Sequence, residues 1–369
     1  MIVIKDIKIS QLDEFINSGE YRELKNVPIT PQRAASQIHN PKGDKDDKVL
    51  FLAYDGDRFI GYLGALSDIF IIKNEPLKVA WLSCMWIDRD YRRKGIAVRL
   101  LNHACEIWDY NLLITNYIPL SKRTFDKTGK FTGFKSFGGL RGYLRFNLAE
   151  IILLKKPRLK YMRWLLLLFD FLANIINSCR LAFWKAPMKT GRLNVEYLQE
   201  IDRETADFIV RHGKNSITQK DKAVLDWMKK YPWVINARFK DEISSRYEFS
   251  SVSSNFNQLY IKLTDEKKVV AFIMLTVHGT HLKTPYLFFD PDYGDFVRKV
   301  IYAYLLESKV RTFTTYHEGL IKVLKSKRNP FIITRKMVQD SLITRELLQK
   351  VGDPDSYVLM EGDGDCAFV

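Results

Sequence analysis

The stretch that most restricts what this chain can become is Val79–Trp108, which reads VAWLSCMWIDRDYRRKGIAVRLLNHACEIW. An apolar run ending at Ile87 predicts a buried strand, a charged loop follows, and a helix is expected from about Ala97 to Trp108. A strand that runs through such a loop straight into a helix makes an anion site. The first N–H groups of a helix have no internal partner, and the helix dipole concentrates positive potential there. Gly95 lets the backbone approach a phosphate closely, Ala97 leaves room at the helix entrance, and Arg92, Arg93 and Lys94 add three cations at the same spot. The dipole itself contributes only about 0.3–1 kcal/mol when exposed, so converging N–H bonds must supply the specificity.

The elements around this stretch predict an α+β fold with a mixed, mainly antiparallel sheet covered by helices. Ile2–Ile9 reads as a strand and Gln11–Lys25 as a helix, and Thr30-Pro31 is an N-cap with proline at the first helical position, opening a helix to about Ile38. Val49–Tyr54 and Phe59–Ile72, joined at Asp55-Gly56-Asp57, read as a hairpin. A strand at Leu112–Tyr117 and a helix opening near Pro119 follow the Val79–Trp108 stretch. After Pro187 and Gly191 the order recurs: a strand at Asn194–Ile201, helices at Glu204–Arg211 and Lys220–Lys230, and a hairpin of Leu259–Leu263 with Val269–Val277. Then come a strand at Pro285–Phe289, a helix at Val297–Leu306, a strand at Thr312–Tyr316, a helix at Gly319–Ser326 and a strand at Phe331–Met337. The acidic terminus from Glu361 reads as a turn followed by a strand. These patterns divide the 369 residues into a first domain at 1–145, a helical connector at 146–191 and a second domain at 192–369.

Charge separates the connector from the rest. The chain carries a net +15, and residues 151–191 alone hold eight basic side chains against one acidic. A nucleic-acid surface would spread its charge over a face with interleaved aromatics, so none is expected here. Within the connector, Lys155, Lys156, Arg158, Lys160 and Arg163 precede an apolar run that Asp170 interrupts and Arg180 closes. That run is short for a membrane span. Two readings remain: a basic interfacial helix touching anionic lipid weakly through 151–184, and a long helix buried between two domains. The second is adopted. The four cysteines, 84, 105, 179 and 366, show no C-x-x-C spacing, and the N-terminus MIVIKDIKIS lacks a signal-peptide core, so a reducing, cytoplasmic location is expected. Six scattered histidines lack carboxylates at ligand spacing, and no metal is expected.

Arg92–Ala97, R-R-K-G-I-A, resembles the Q/R-x-x-G-x-G/A pyrophosphate loop of the GNAT superfamily of acyl-CoA-dependent N-acyltransferases. The resemblance covers about residues 1–145. It implies acetyl-CoA or another acyl-CoA as co-substrate, with the backbone of Met85, Trp86 and Ile87 pairing the pantetheine arm and Arg92, Arg93, Lys94, Gly95, Ile96 and Ala97 holding the pyrophosphate. It also implies an amine acceptor, small molecule or peptide, acylated by direct attack. Ser121–Phe131, SKRTFDKTGKF, resembles the family helix beside the CoA thiol, with Ser121 and Phe125 in contact with the cofactor. There Phe125 stands where the family has the tyrosine that protonates the leaving thiolate, and a phenyl ring cannot do so. Ser121 and Tyr117 are the alternative acids, and Glu75 and Asp68 the candidate bases. Cys84 reads as a structural thiol, and Asp363 or Asp365 as a carboxylate able to hold a cationic acceptor. In the second half the corresponding loop is Asp290-Pro291-Asp292-Tyr293-Gly294-Asp295, whose carboxylates would repel a pyrophosphate. That pattern is similar to tandem GNAT proteins with one degenerate half, and leaves two further readings open: a non-catalytic acyl-CoA sensor or scaffold, and a membrane-surface protein. No pattern selects the acceptor, the acyl chain length or the oligomeric state.

Overall fold

The computed structural model describes residues 1–369 except 116, 118, 186–192 and 369. In chain order, β1 (Ile2–Lys8), the short helices α1 (Leu12–Asn17) and α2 (Gly19–Glu23), and α3 (Pro31–Ile38) lead into three long strands, β2 (Lys48–Asp55), β3 (Arg58–Ile72) and β4 (Glu75–Ile87). Next come α4 (Ile96–Ile107), β5 (Leu112–Thr115), α5 (Pro119–Thr128), β6 (Phe131–Tyr143), α6 (Leu148–Lys155) and α7 (Arg163–Lys185). The later part contains β7 (Asn194–Leu198), α8 (Arg203–His212), α9 (Lys222–Lys230), the two-residue β8 (Ile235–Asn236), α10 (Glu242–Ser245) and β9 (Val252–Ser253). It ends with β10 (Phe256–Asp265), β11 (Lys268–His278), β12 (His281–Phe289), α11 (Gly294–Glu307), β13 (Thr312–Thr315), α12 (Glu318–Ser326), β14 (Ile333–Thr344) and α13 (Arg345–Val351).

Local chemistry explains most boundaries. The Thr30 hydroxyl accepts from Arg33 N and caps α3, as the Thr-Pro pair predicts. The single helix expected over Gln11–Lys25 is two, because Ser18 leaves helical geometry and its hydroxyl caps α2 at Tyr21 N. The connector is also broken, into α6, a 3-10 turn at Pro157–Met162, and α7. The terminus forms a 3-10 helix at Gly364–Phe368 rather than the expected strand.

The compact units cut across the expected boundaries. One consists of residues 1–137, 199–256 and 338–369, the other of 138–198 and 257–337. The cause is strand pairing. β5 takes its antiparallel partner from the end of β14, Leu342 opposite Ile114, whereas β13 takes its partner from the end of β6, Phe313 opposite Gly142. Residues 199–256 add to the first unit through bonds such as Ile71 N to Ile217 O (2.9 Å) and Trp227 Nε1 to Ser36 O (2.7 Å).

In the first unit, β1 to β4 pair antiparallel in sequence order and β4 pairs β5 in parallel. Both faces of this sheet are covered, which is why β2 reads as an unbroken apolar run. Phe51 and Ala53 pack toward α4, with Leu100, Leu101 and Ala104, while Leu50, Leu52 and Tyr54 pack toward α1 and α3. The second unit repeats the arrangement with β10, β11 and β12 antiparallel, β12 and β13 parallel, and α11 between them. Its core is built on Val270, Ile273, Leu275, Ile301 and Leu305.

The second unit also contains two half-buried histidines held neutral. Burial pushes His317 down from 6.5 to about 4, and burial with the neighbouring Arg141 and Lys283 pushes His281 to about 3. His317 Nδ1 accepts from Leu320 N and caps α12, a role that only the neutral ring can fill. The folded form therefore resists a proton that the unfolded chain accepts below 6.5. The stability contributed by His317 is complete above that pH and is lost as pH falls toward about 4, with a ceiling of about 3 kcal/mol. His317→Asn, which keeps a capping acceptor without a titrating ring, should reduce the loss between those pH values in urea titrations, leaving the part due to His281. An unchanged pH dependence would remove His317 as its source.

Candidate active site

The site grows out of two irregularities in β4. The first is a bulge. Gly64 pairs Ser83 but Tyr62 pairs Trp86, so Cys84 and Met85 together oppose Leu63. Cys84 takes up the extra residue with φ +54°, a left-handed conformation rare for a side chain of this size. The second is that, among the described residues, β4 and β5 pair only at Ala80–Leu112 and Trp81–Leu113. Beyond Trp81 the strands part, leaving the edge of β4 from Leu82 to Ile87 unpaired on the β5 side. Met85 and Ile87 lean toward the α4 core, and Trp86 lies on the opposite face against Phe59 and Tyr62.

Past Ile87 the loop is braced. Arg58 bonds Asp88 (3.0 Å) and Asp90 (2.8 Å), Tyr91 donates to Asp55 (3.0 Å), and Lys94 lies over the Tyr91 ring. Arg92 Nε donates to Ile87 O at 3.2 Å, which turns this guanidinium back onto the strand end. Arg93, with φ +65°, and Gly95, with φ +81°, swing the chain into α4. Gly95 is the N-cap and offers no side-chain acceptor. The first intrahelical bond is Arg99 N to Gly95 O, so the N–H groups of Ile96, Ala97 and Val98 face outward without a cap. The loop read from the sequence is thus a bare helix N-terminus ringed by exposed Arg92, Arg93 and Lys94, with Ile96 buried as its anchor.

Behind the bulge sits a polar cluster that sequence reasoning missed. Arg33, on α3 and only 3% exposed, donates to Ser83 Oγ (2.9 Å), Tyr247 OH (3.0 Å) and Cys84 Sγ, and stacks over the Trp233 ring at 4.0 Å. Tyr247 OH donates in turn to Cys84 Sγ at 3.3 Å, and Ser83 Oγ donates to Asp365. Burial works against the Arg33 charge, but Cys84, Tyr247 and Asp365 outweigh it and hold its pKa above the ordinary value. Glycine at 64 is what admits the guanidinium: a Cβ there would lie 2.9 Å from Ser83 O and 3.2 Å from Arg33 Nη2. Thr30, Cys84, Trp233, Tyr247, Phe249, Ser250 and Asp365 line a narrow cleft over this cluster. Only Cys84 and Asp365 of the group were legible in the sequence.

The structure separates the other sequence candidates. Glu75 starts β4 at the hairpin tip, opposite Ile72, nine residues or about 30 Å of extended chain from Cys84, so it is not brought to the site. Asp68 is buried, accepting from Trp81 Nε1 (3.0 Å) with Lys220 at 3.9 Å, and Asp363 is wholly buried against Lys220 (3.2 Å) and Thr218 (2.7 Å). Both carboxylates hold the fold together, and Asp365 is the one that reaches the bulge. Phe125 faces the core, packed edge-on to Phe131, which removes it from the cofactor contacts expected of it. Ser121 is half-buried on α5. Continuing the β4–β5 register would set Tyr117 opposite Met85, across the splay. Tyr117 also lines a pocket of about 510 Å³ with Lys122, Asp126, Asp340 and Arg345, and burial, then Asp340, raise its hydroxyl pKa, keeping the proton on. Cys84 is half-buried rather than a closed core thiol.

Residues 15–108 match the family model described as the acetyltransferase (GNAT) family. The chain carries a GNAT acetyltransferase domain. The matched span runs from α1 to Trp108 and includes the bulge, the loop and α4. Among solved structures, a GCN5-related N-acetyltransferase from Anabaena variabilis aligns with a TM-score of 0.51 at 10% identity, covering 94% of this chain and 73% of that one. A probable N-acyltransferase from Enterococcus faecalis aligns with the same score and coverage at 7% identity. These likenesses establish the GNAT fold. No curated protein matches the chain in sequence.

Gly95 tests the GNAT loop directly. Open space surrounds its Cα, so Gly95→Ala introduces no clash and only the strain of a positive φ, about 1–2 kcal/mol. Calorimetric titration should show CoA affinity falling roughly tenfold with little change in melting temperature. Equal affinity would mean that the α4 N-terminus does not hold the phosphates.

Proposed function

We propose that this protein transfers an acyl group from acyl-CoA, with acetyl-CoA the first to test, to an amine held over the β4 bulge. The observation that carries the reading is the bulge at Cys84, set between a splayed strand edge and the uncapped α4 N-terminus. The pyrophosphate would rest on the N–H groups of Ile96–Val98 with Arg92, Arg93 and Lys94 around it. The pantetheine arm would lie along Leu82–Ile87. The acceptor enters from the opposite face of the sheet, where Trp233, Tyr247 and Phe249 supply aromatic walls. Its ammonium pairs with Asp365 and gives up its proton there. The neutral amine attacks the thioester carbonyl, the oxyanion is held by backbone N–H at the bulge, and the departing thiolate takes its proton from Tyr117. Arg33 orients Ser83, and Ser83 orients Asp365. The second unit would be a GNAT-like half without phosphate binding, and the protein would work in the cytoplasm, where Cys84 stays a thiol.

The two donors on Cys84 Sγ favour a second reading, in which this sulfur first takes the acyl group, expels CoA, and passes the acyl group to the amine. The routes separate cleanly. Under direct attack, Cys84→Ser keeps turnover within about tenfold, and mass spectrometry finds no acyl adduct after incubation with acetyl-CoA alone. Under the covalent route the adduct appears on Cys84 and the variant is inactive. Asp365→Asn should lower kcat about 100-fold or more in an amine panel while CoA affinity stays unchanged. Binding of CoA without turnover against any amine would replace the enzyme with an acyl-CoA sensor.

A further inference from the structure

The helix α7 is built inside out. It is long and apolar, yet only 17% of its most hydrophobic window is buried, which overturns the expectation of a helix packed between domains. Its polar side chains face the protein. Asp170 is 7% exposed and its carboxylate accepts from Leu148 N (2.7 Å) and Ala149 N (2.9 Å), capping α6. One turn on, Asn174 bonds both N and O of Phe146 (2.9 Å each), Asn177 donates to Leu144 O (3.0 Å), and Arg180 donates to Pro330 O (2.7 Å). At 100° per residue, Leu168, Leu172 and Ile175 point away from that stripe, and all three are exposed. Around them Phe171 is 64%, Ile176 75% and Phe183 83% exposed. An apolar surface of this extent is not left in water by a monomeric soluble protein.

We propose that this face docks on an anionic phospholipid bilayer, with α7 lying in the interfacial plane. Charge complementarity selects lipid as the occupant. Lys155, Lys156, Arg158, Lys160 and Arg163 form an exposed basic collar at the start of the helix, where lipid headgroups would meet it. Lys160, Arg163 and Arg311, which outnumber the one carboxylate of Glu150, line an open cavity of about 640 Å³ with Leu153 and Leu167 beside them. That combination of cations over an apolar wall suits a lipid phosphate and the first carbons of its chains. The bonds from Asp170 to Arg180 fasten the helix lengthwise to its own unit, so it lies on the membrane rather than crossing it. Asp170, the residue that breaks the apolar run in the sequence, is thus the anchor of the inward face.

The test is sedimentation of the full-length protein with vesicles of phosphatidylcholine alone, and of phosphatidylcholine with about one-third phosphatidylglycerol. Binding to the anionic vesicles, weakened several-fold as salt rises from about 0.1 to about 0.5 M, is expected. Leu168→Asp/Leu172→Asp/Ile175→Asp, all at exposed positions, should cut the partition coefficient at least tenfold without altering the melting temperature. Lys156→Glu/Arg158→Glu should abolish the preference for anionic over neutral vesicles. No binding by the wild-type protein, or binding that survives the triple substitution, overturns the proposal. So does sedimentation equilibrium showing a dimer that the triple substitution dissociates, with no vesicle binding, because a second copy would then be what covers the face.

Discussion

The first unit depends on a guanidinium buried inside a sheet face. Arg33 meets Ser83, Cys84 and Tyr247 at once, and a buried cation left without such partners would cost several kcal/mol. The bulge is what makes this arrangement affordable. By adding one residue to β4 it turns Cys84 into the left-handed region and presents its sulfur to Arg33, while Gly64 on the facing strand leaves room for the same group. One irregularity therefore both satisfies the buried cation and shapes the candidate site. Removing the Arg33 contacts would weaken the core and release the backbone geometry of the bulge.

Legibility in the sequence followed the range of the interactions. The Thr30 cap, the Asp55-Gly56 turn and the entry of the Arg92–Ala97 loop into a helix are decided by neighbours a few residues away, and as local structure all three match the expectation. Pairing partners are not so decided. Nothing in the residues 340–343 says that they complete the sheet beside β5, and the expected boundaries at 145 and 192 failed for that reason. Arg33 was invisible because its partners stand 50, 51 and 214 residues away. The Phe125 assignment failed differently. The motif register was sound as a pattern, but Phe131 offers the ring a packing partner and draws it into the core.

The misreading of α7 carries a separate lesson. Composition made it apolar, and apolar helices are usually buried, so burial was the natural inference. The spacing held contrary information. Asp170, Asn174 and Asn177 recur at helical intervals and mark one face, and a polar stripe on a helix this apolar is the stripe that needs hydrogen-bond partners. Those partners are the backbone of residues 144–149, whose own N–H and C=O groups lie where the chain leaves β6. The helix faces inward with its polar side because that is where unsatisfied backbone waits, and the apolar side is left outward as a consequence.

The same physics distinguishes the two helices that follow the parallel-paired strands. α4 and α11 each begin just beyond the end of an open strand, and each presents the same backbone dipole to solvent. At α4 the nearby side chains are Arg92, Arg93 and Lys94. At α11 they are Asp290, Asp292 and Asp295, and Asp295 is already held by Arg298 at 2.7 Å and Lys299 at 3.5 Å. A helix dipole attracts an exposed anion by about 0.3–1 kcal/mol, whereas one carboxylate about 4 Å from a phosphate repels it by about 1 kcal/mol in water and about 4 kcal/mol near a protein surface. Carboxylates, two of them paired with cations of their own, therefore surround the start of α11, whereas three exposed cations surround that of α4. Side-chain charge rather than topology is what distinguishes the two helix starts.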